Sequence, residues 1–463
     1  MRKNLILHIL FYFTLFPALA QETDTLDFES FMSWVRLDHP IAAQAEINLR
    51  MGQMEVRQAR GGFDPMIFGN LDKKDFKEST YYDKREAGVS IPTWAGVELT
   101  GTFEQNSGQY LNSENNVPSN GLFAAGASVN LGQGLILDER RATLRQAQIY
   151  QQSTESQRIQ LLNQLYVLTT DVYWRWALAF SNQEVLKEGV NLAKARFEAV
   201  KGSYRQGDLA AIDTVEAFSQ LLNREYRYQS AQNTYFIVGQ ELNNFLWDQE
   251  GNPMVLQEEI VPQRLTDDQL YVLEEAELRE IVANHPDLKI ADYELAGLDV
   301  ERRLKSQQIL PVVKLKYNFL TEDLGNYSQS RFFENNYKWG VSVYTPLLLR
   351  KSRGALGLTK AKIDFKQNSR ELKELQLRTK LESELNTLSN LNIQINTFEK
   401  NVQSLESLLQ GEVRRFDIGE SSLFLVNARE VTVFDSRLTL NELFSKSKIA
   451  FAKARFAAGL GFD

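Results

Sequence analysis

The sequence predicts a mainly α-helical chain with a membrane β-barrel portion, built as two halves of one duplicated unit. Three observations carry this. The stretch HPDLKIADYELAGLDVERRLKSQQILP, His285 to Pro311, echoes an earlier one: His39, Pro40, Ala45, Leu49, Glu55, Arg57 and Pro65 recur 246 residues later as His285, Pro286, Ala291, Leu295, Glu301, Arg303 and Pro311, without a gap. Each half then carries a very long helical stretch. Between the echoed helix and the long one, each half has short runs that alternate apolar with polar. A period this long is not that of a solenoid, whose units run to about 20–50 residues.

Residues 1–20 have the layout of a secretory signal: Arg2 and Lys3, an apolar run from Leu5 to Leu15, then Ala18-Leu19-Ala20. They are set apart from the fold. Arg2 and Lys3 are the only ionised residues among them, so the remainder carries a net charge of −10, two more negative than the whole chain's −8. That balance speaks against nucleic acid as a partner. The chain has no cysteine, which excludes disulfides, thiolate metal sites and a lipid on an N-terminal cysteine. A mean hydropathy of −0.35 excludes a bundle of membrane helices, but alternating barrel strands are invisible to such an average.

In order along the chain, the amphipathic stretch from Leu26 to Arg36 leads to Asp38-His39-Pro40, where proline suits a first helical position because its missing N–H would have no helical partner. That helix runs to about Gly61-Gly62. Strand-like alternation follows at Val97, Leu99 and Phe103, and at Phe123, Ala125, Ala127, Val129 and Leu131, around a loop from Asn106 to Asn120. Pro92-Thr93-Trp94-Ala95-Gly96 reads as a turn, and Phe63 to Tyr82 as either further strands or a long loop. In the second half Val313, Leu315, Tyr317 and Phe319 pair with Tyr337, Trp339, Val341 and Val343 across the loop Glu322 to Asn336. The expected count is about four strands per chain.

The long helices run from Asp138 to Tyr204 and from Lys351 to Phe416, each about 100 Å if continuous. In the second, Leu381, Leu388, Ile395, Val402, Leu409 and Phe416 recur every seven residues, with Leu391, Phe398 and Leu405 between them, which is a coiled-coil seam. Matched breakers end both helices, Tyr204-Arg-Gln-Gly207-Asp208 and Phe416-Asp-Ile-Gly419-Glu420, and a second helix follows each. These are tight antiparallel helix hairpins. The expected layout is a first repeat over 21–247, a linker over 248–273 and a second repeat over 274–463.

Four to six strands cannot close a membrane barrel, for which about eight is the minimum, and an open edge in lipid is prohibitive. The strands are therefore expected to be shared between copies related by cyclic symmetry. The alternative reading of the heptads alone is a water-soluble coiled-coil scaffold of the periplasm. The alternating strands speak against it.

Over essentially its whole mature length the chain resembles the TolC-type outer-membrane efflux protein family. The resemblance rests on Glu274-Glu275-Ala276 ahead of His285-Pro286, on Pro311, on Thr345-Pro346-Leu347-Leu348 before a basic helix start, and on Arg415-Phe416-Asp417-Ile418-Gly419-Glu420-Ser421-Ser422. It implies a homotrimer in the outer membrane of a Gram-negative bacterium. Its shared β-barrel, of twelve strands, continues into a long periplasmic tunnel of helical coiled coils. The implied partners are a periplasmic adaptor (membrane fusion) protein, an inner-membrane efflux pump or ABC transporter, and outer-membrane lipid. No catalysis, cofactor or metal is implied, and cargo is set by the inner-membrane partner. Residue by residue, Gly207, Asp208, Leu209, Gly419 and Glu420 match the hairpin tips on which adaptors dock. Tyr204 and Phe416 match the last inward turn before the tip. Asp213 and Glu216, three apart and so on one helix side, match the acids of a closed constriction. The equivalent second-half positions, Leu425 to Ala428, carry no carboxylate. A pair of acids at this spacing is equally what an ordinary solvated helix face carries.

His39 and His285 are the only histidines outside the signal. Each precedes a helix-opening proline, where a cap or hydrogen bond explains it without a metal. No phosphate loop, zinc helix or nucleophile turn occurs.

Overall fold

The computed structural model describes residues 25–257, 259–266, 273–322 and 336–462. The signal stretch and most of the loop Glu322 to Asn336 lie outside them. The elements in chain order are β1 (Thr25–Leu26), α1 (Phe28–Asp38), α2 (Pro40–Arg60), β2 (Met66–Phe76), β3 (Ser79–Pro92), β4 (Val97–Ser107), β5 (Leu122–Asn130), α3 (Glu139–Gln206) and α4 (Ala211–Asn243). After them come β6 (Val261–Pro262), α5 (Glu275–Ile281), α6 (Pro286–Gln307), β7 (Val312–Thr321), β8 (Tyr337–Tyr344), α7 (Arg350–Asp417) and α8 (Leu423–Ala458). The echoed segments become α2 and α6, of 21 and 22 residues. The long helices α3 and α7 are both 68 residues. No helix among the described residues is long and apolar enough to cross a membrane.

The chain forms two compact units, neither continuous in sequence. One holds Met1–Asp38, Thr169–Leu270 and Leu391–Ile449; the other holds His39–Leu168, Tyr271–Asn390 and Ala450–Asp463.

In the first unit the core is aromatic: Phe31, Tyr173, Trp174, Trp176, Leu242, Leu246 and Leu265 are each no more than 2% exposed. The stretch after α4 is tied in rather than free. β6 pairs in parallel with β1, the Leu256 amide donates to Asn243 Oδ1 at 2.8 Å, and Tyr173 Oη donates to the Leu26 carbonyl at 2.7 Å. The Leu26–Arg36 stretch is mostly the helix α1.

The second unit holds α2, α5, α6 and one antiparallel sheet of order β2-β3-β4-β5-β7-β8. β5 pairs with β7, which joins strands from the two halves of the chain. Among the described residues the sheet has six strands against about four expected, because Phe63 to Tyr82, open between further strands and a long loop, forms β2 and the start of β3. These two make an eleven-pair ladder closed by a two-residue turn at Lys77-Glu78. Both turn residues have positive φ, as the strand twist demands of so short a hairpin loop. The Pro92–Gly96 turn between β3 and β4 forms as read, with the Thr93 amide donating to Val97 O at 2.9 Å.

Of the heptad positions of α7, Leu381, Leu388, Ile395 and Val402 are at most 7% exposed and the interleaved Leu391 is 9% exposed, while Phe398, Leu405, Leu409 and Phe416 are half-buried. The two histidines are caps. His39 Nδ1 accepts from the Ile41 amide and His285 Nδ1 from the Asp287 amide, both at 3.1 Å, and both rings are buried. Each thereby satisfies one of the first helical N–H groups.

Candidate functional site

Two regions hold the residues of interest, one in each unit. In the first unit both helix hairpins turn on a glycine with φ in the left-handed region, +88° at Gly207 and +78° at Gly419. The bonding is the same at both. The Gly207 amide donates to Tyr204 O and the Asp208 amide to Ser203 O, just as the Gly419 amide donates to Phe416 O and the Glu420 amide to Arg415 O, all within 3.1 Å. This paired closure satisfies the last helical carbonyls, and glycine adopts it without a Cβ penalty.

Beneath the turns, Val200, Ala217 and Leu423 are buried, with Phe197, Leu209 and Phe416 packed on them. Leu209 and Phe416, one from each tip, therefore share one apolar cluster. Gly207, Asp208, Gly419 and Glu420 stay exposed, and Tyr204 is 46% exposed. Asp213 and Glu216 are both half-buried, and each already has a partner. Asp213 Oδ2 accepts from the Ala210 amide at 3.0 Å, at the start of α4, where a carboxylate also faces the positive helix end. Glu216 Oε1 accepts from Asn427 Nδ2 at 3.1 Å.

Asn427 opens a network that the sequence reading missed. Its Oδ1 accepts from Arg196 Nη1 at 3.4 Å, Arg196 is ion-paired with Glu430, and Glu430 Oε2 accepts from Arg224 Nη2 at 2.7 Å. Glu430, Asn427 and Arg224 are at most 6% exposed. The Arg224 guanidinium lies 4.9 Å from the centre of the Phe434 ring, and Nη1 reaches Gly189 O at 3.4 Å. Burial lowers the Arg224 pKa from its ordinary value and Glu430 opposes that shift. One carboxylate thus serves two guanidiniums among α3, α4 and α8. The signal was present: Arg224 continues the buried stripe of Ala217 and Leu221, and Glu430 sits between Leu423, Val426 and Val433.

The second region is the sheet. Its register draws rows across all six strands. One row is Ile67, Val89, Gly101, Ala125, Phe319 and Tyr337; the row beside it is Met66, Ser90, Thr100, Gly126, Asn318 and Lys338. Since neighbouring residues point to opposite faces, one face is apolar and the other polar. The apolar face is uncovered: Ile67 is 86% exposed, Trp339 61% and Val343 64%. Burying such an alternating surface takes a non-aqueous neighbour, because a face of this extent is far beyond scattered surface apolar residues.

Sequence comparison finds no matching family model and no matching curated protein. Structure comparison does find likenesses. A CusC structure described in terms of transmembrane channel formation matches with a TM-score of 0.69 at 16% identity, covering 94% of this chain and 92% of that one. The outer membrane protein VceC of Vibrio cholerae matches at 0.66 with 14% identity, over 94% and 96% of the two chains. The open-state MtrE outer membrane channel of Neisseria gonorrhoeae matches at 0.67 with 12% identity, over 94% and 89%. With its two 68-residue helices, glycine-capped hairpins and one-sided antiparallel sheet, the chain has the TolC-like fold of the outer membrane factor channels.

Proposed function

We propose that the protein is the outer-membrane exit duct of a tripartite efflux or type I secretion system. It works as a homotrimer whose sheets form one barrel in outer-membrane lipid and whose helices form the periplasmic tunnel. One observation carries the reading: a six-stranded sheet with a continuous, uncovered apolar face whose edge strands β2 and β8 have no further strand partner among the described residues. Lipid supplies the cover for such a face, and copies of the chain supply the edges. The channel-forming CusC and the MtrE outer membrane channel, alike in fold, support it. A periplasmic adaptor protein docks on the tips at Gly207, Asp208, Leu209, Gly419 and Glu420, all exposed but the half-buried Leu209, and hands over cargo from an inner-membrane pump or ABC transporter. Tyr204, Asp213, Glu216 and Phe416 narrow the closed end. The protein needs no catalytic group for this task.

The test is planar-bilayer conductance of the detergent-purified protein, with its mass by light scattering. A trimer with small, rarely open, cation-preferring currents is expected. The preference should fall in the Asp213→Ala, Glu216→Ala double variant. A monomer that stays in solution without detergent and never inserts would overturn the duct in favour of a periplasmic coiled-coil scaffold.

A further inference from the structure

We infer that the β2–β3 hairpin is part of the lipid-facing wall and that β2 is the strand that closes the barrel against β8 of a second copy. The wall then has six strands per copy, eighteen in a trimer, instead of the twelve that four-stranded copies would give. The inference rests on the duct reading and adds to it the edge that seals it.

Three observations carry it. The apolar row does not stop at β4: it continues through Val89 to Ile67 on β2, and Leu71 on the same face is 82% exposed. If the hairpin stood outside the wall, this face would meet water and the inner side of β4 would lose its ladder of ten pairs to β3. From the Leu71 row onward the same face turns charged: Arg85 lies opposite Leu71 and Asp83 opposite Lys73, with ion pairs Lys73–Asp75 and Arg85–Asp83 at 2.9 Å. The apolar stretch is therefore a band with an upper limit, as a lipid layer requires.

The two edges also match. Six strands joined in antiparallel succession leave β2 and β8 running in opposite directions, so copies placed side by side in a ring pair antiparallel throughout. The stagger fits a barrel as well. The row from Ile67, one residue from the helix-side end of β2, reaches β8 at Tyr337, seven residues from its helix-side end at Tyr344. With those ends level, a stagger of six residues is about 20 Å across five strand spacings of about 24 Å, a tilt of about 40°. Closed barrels tilt their strands by about 35–45°.

The chain has no cysteine, so pairs can be introduced cleanly. The full-length protein is made with Ile67→Cys on β2 combined in turn with Val343→Cys, Val341→Cys or Trp339→Cys on β8, and oxidised in the outer membrane. β2 and β8 lie at opposite edges of one sheet, so a disulfide between them joins two copies. At least one pair should give covalent dimers and trimers more than tenfold above the matching pairs made with Leu99→Cys on β4. Cross-linking through Leu99 but not Ile67 would overturn the inference and make β4 the closing edge. No cross-link in a protein that is still trimeric would overturn it while leaving the duct. No cross-link in a protein that is monomeric would overturn both.

Discussion

His285 joins a sequence signal, a local structure and a measurable property. The His-Pro pair was legible because proline at a first helical position and a capping side chain before it satisfy one physical need, the orphan N–H groups of a helix start. The structure adds why the ring is neutral. Its Nδ1 must accept from Asp287 N, Nε2 sits 3.4 Å from Phe456 O, and burial, only partly opposed by Asp287, lowers its pKa below the ordinary 6.5. The unfolded chain therefore binds a proton that the folded one resists. Stability falls as pH drops below about 6.5, and the loss is complete once pH is below the folded value. His285→Asn keeps a capping acceptor and removes the titration. It should flatten the decline of the urea midpoint between pH 7 and 5, while His285→Ala should lower the unfolding free energy at pH 7 by about 1 kcal/mol for the lost cap.

At the scale of elements, legibility followed the apolar pattern. The heptads of α7 named its buried face because a seam repeats every seven residues wherever helices pack side by side. β2 and β3 were left open because alternation marks a strand only where one face is apolar. Beyond Leu71 and before Ala87 both faces of this hairpin are largely polar, so ladder and turn hold it without leaving a pattern. The acids showed the opposite failure. Asp213 and Glu216 were visible as a pair, yet Glu430, which sits at the centre of the ionic network, hides on a buried stripe. Glu430→Gln leaves Arg196 and Arg224 facing one another without a counter-charge, and should cost about 3–5 kcal/mol. Arg224→Met should cost less, because Arg196 still answers Glu430 and methionine fills much of the space over Phe434. Denaturant midpoints of the two variants in detergent give the order. Equal losses would mean that Glu430 is not shared.

For the whole molecule, the proposed duct requires that the apolar face of the sheet meet lipid. Fold class was readable from helices and strands together, since neither a soluble coiled coil nor a closed single-chain barrel accommodates both. What one chain could not show in its sequence was how much wall it supplies, because strand number depends on pairing and not on composition. Val341 and Ser342 make the decisive comparison. They are neighbours on β8, 53% exposed and exposed respectively, but Val341 lies opposite Leu315 on the apolar face and Ser342 opposite Lys314 on the polar one. In water the two positions would tolerate arginine alike, because neither is packed. In a barrel, arginine at Val341 must enter the hydrocarbon band, at about 2–4 kcal/mol near the midplane and per copy, whereas at Ser342 it meets the water of the lumen. Val341→Arg should therefore deplete the heat-resistant trimer in the outer membrane, and Ser342→Arg should leave trimer yield intact while shifting the channel away from cations. Equal yields for the two would remove lipid from that face and, with it, the reason for the barrel.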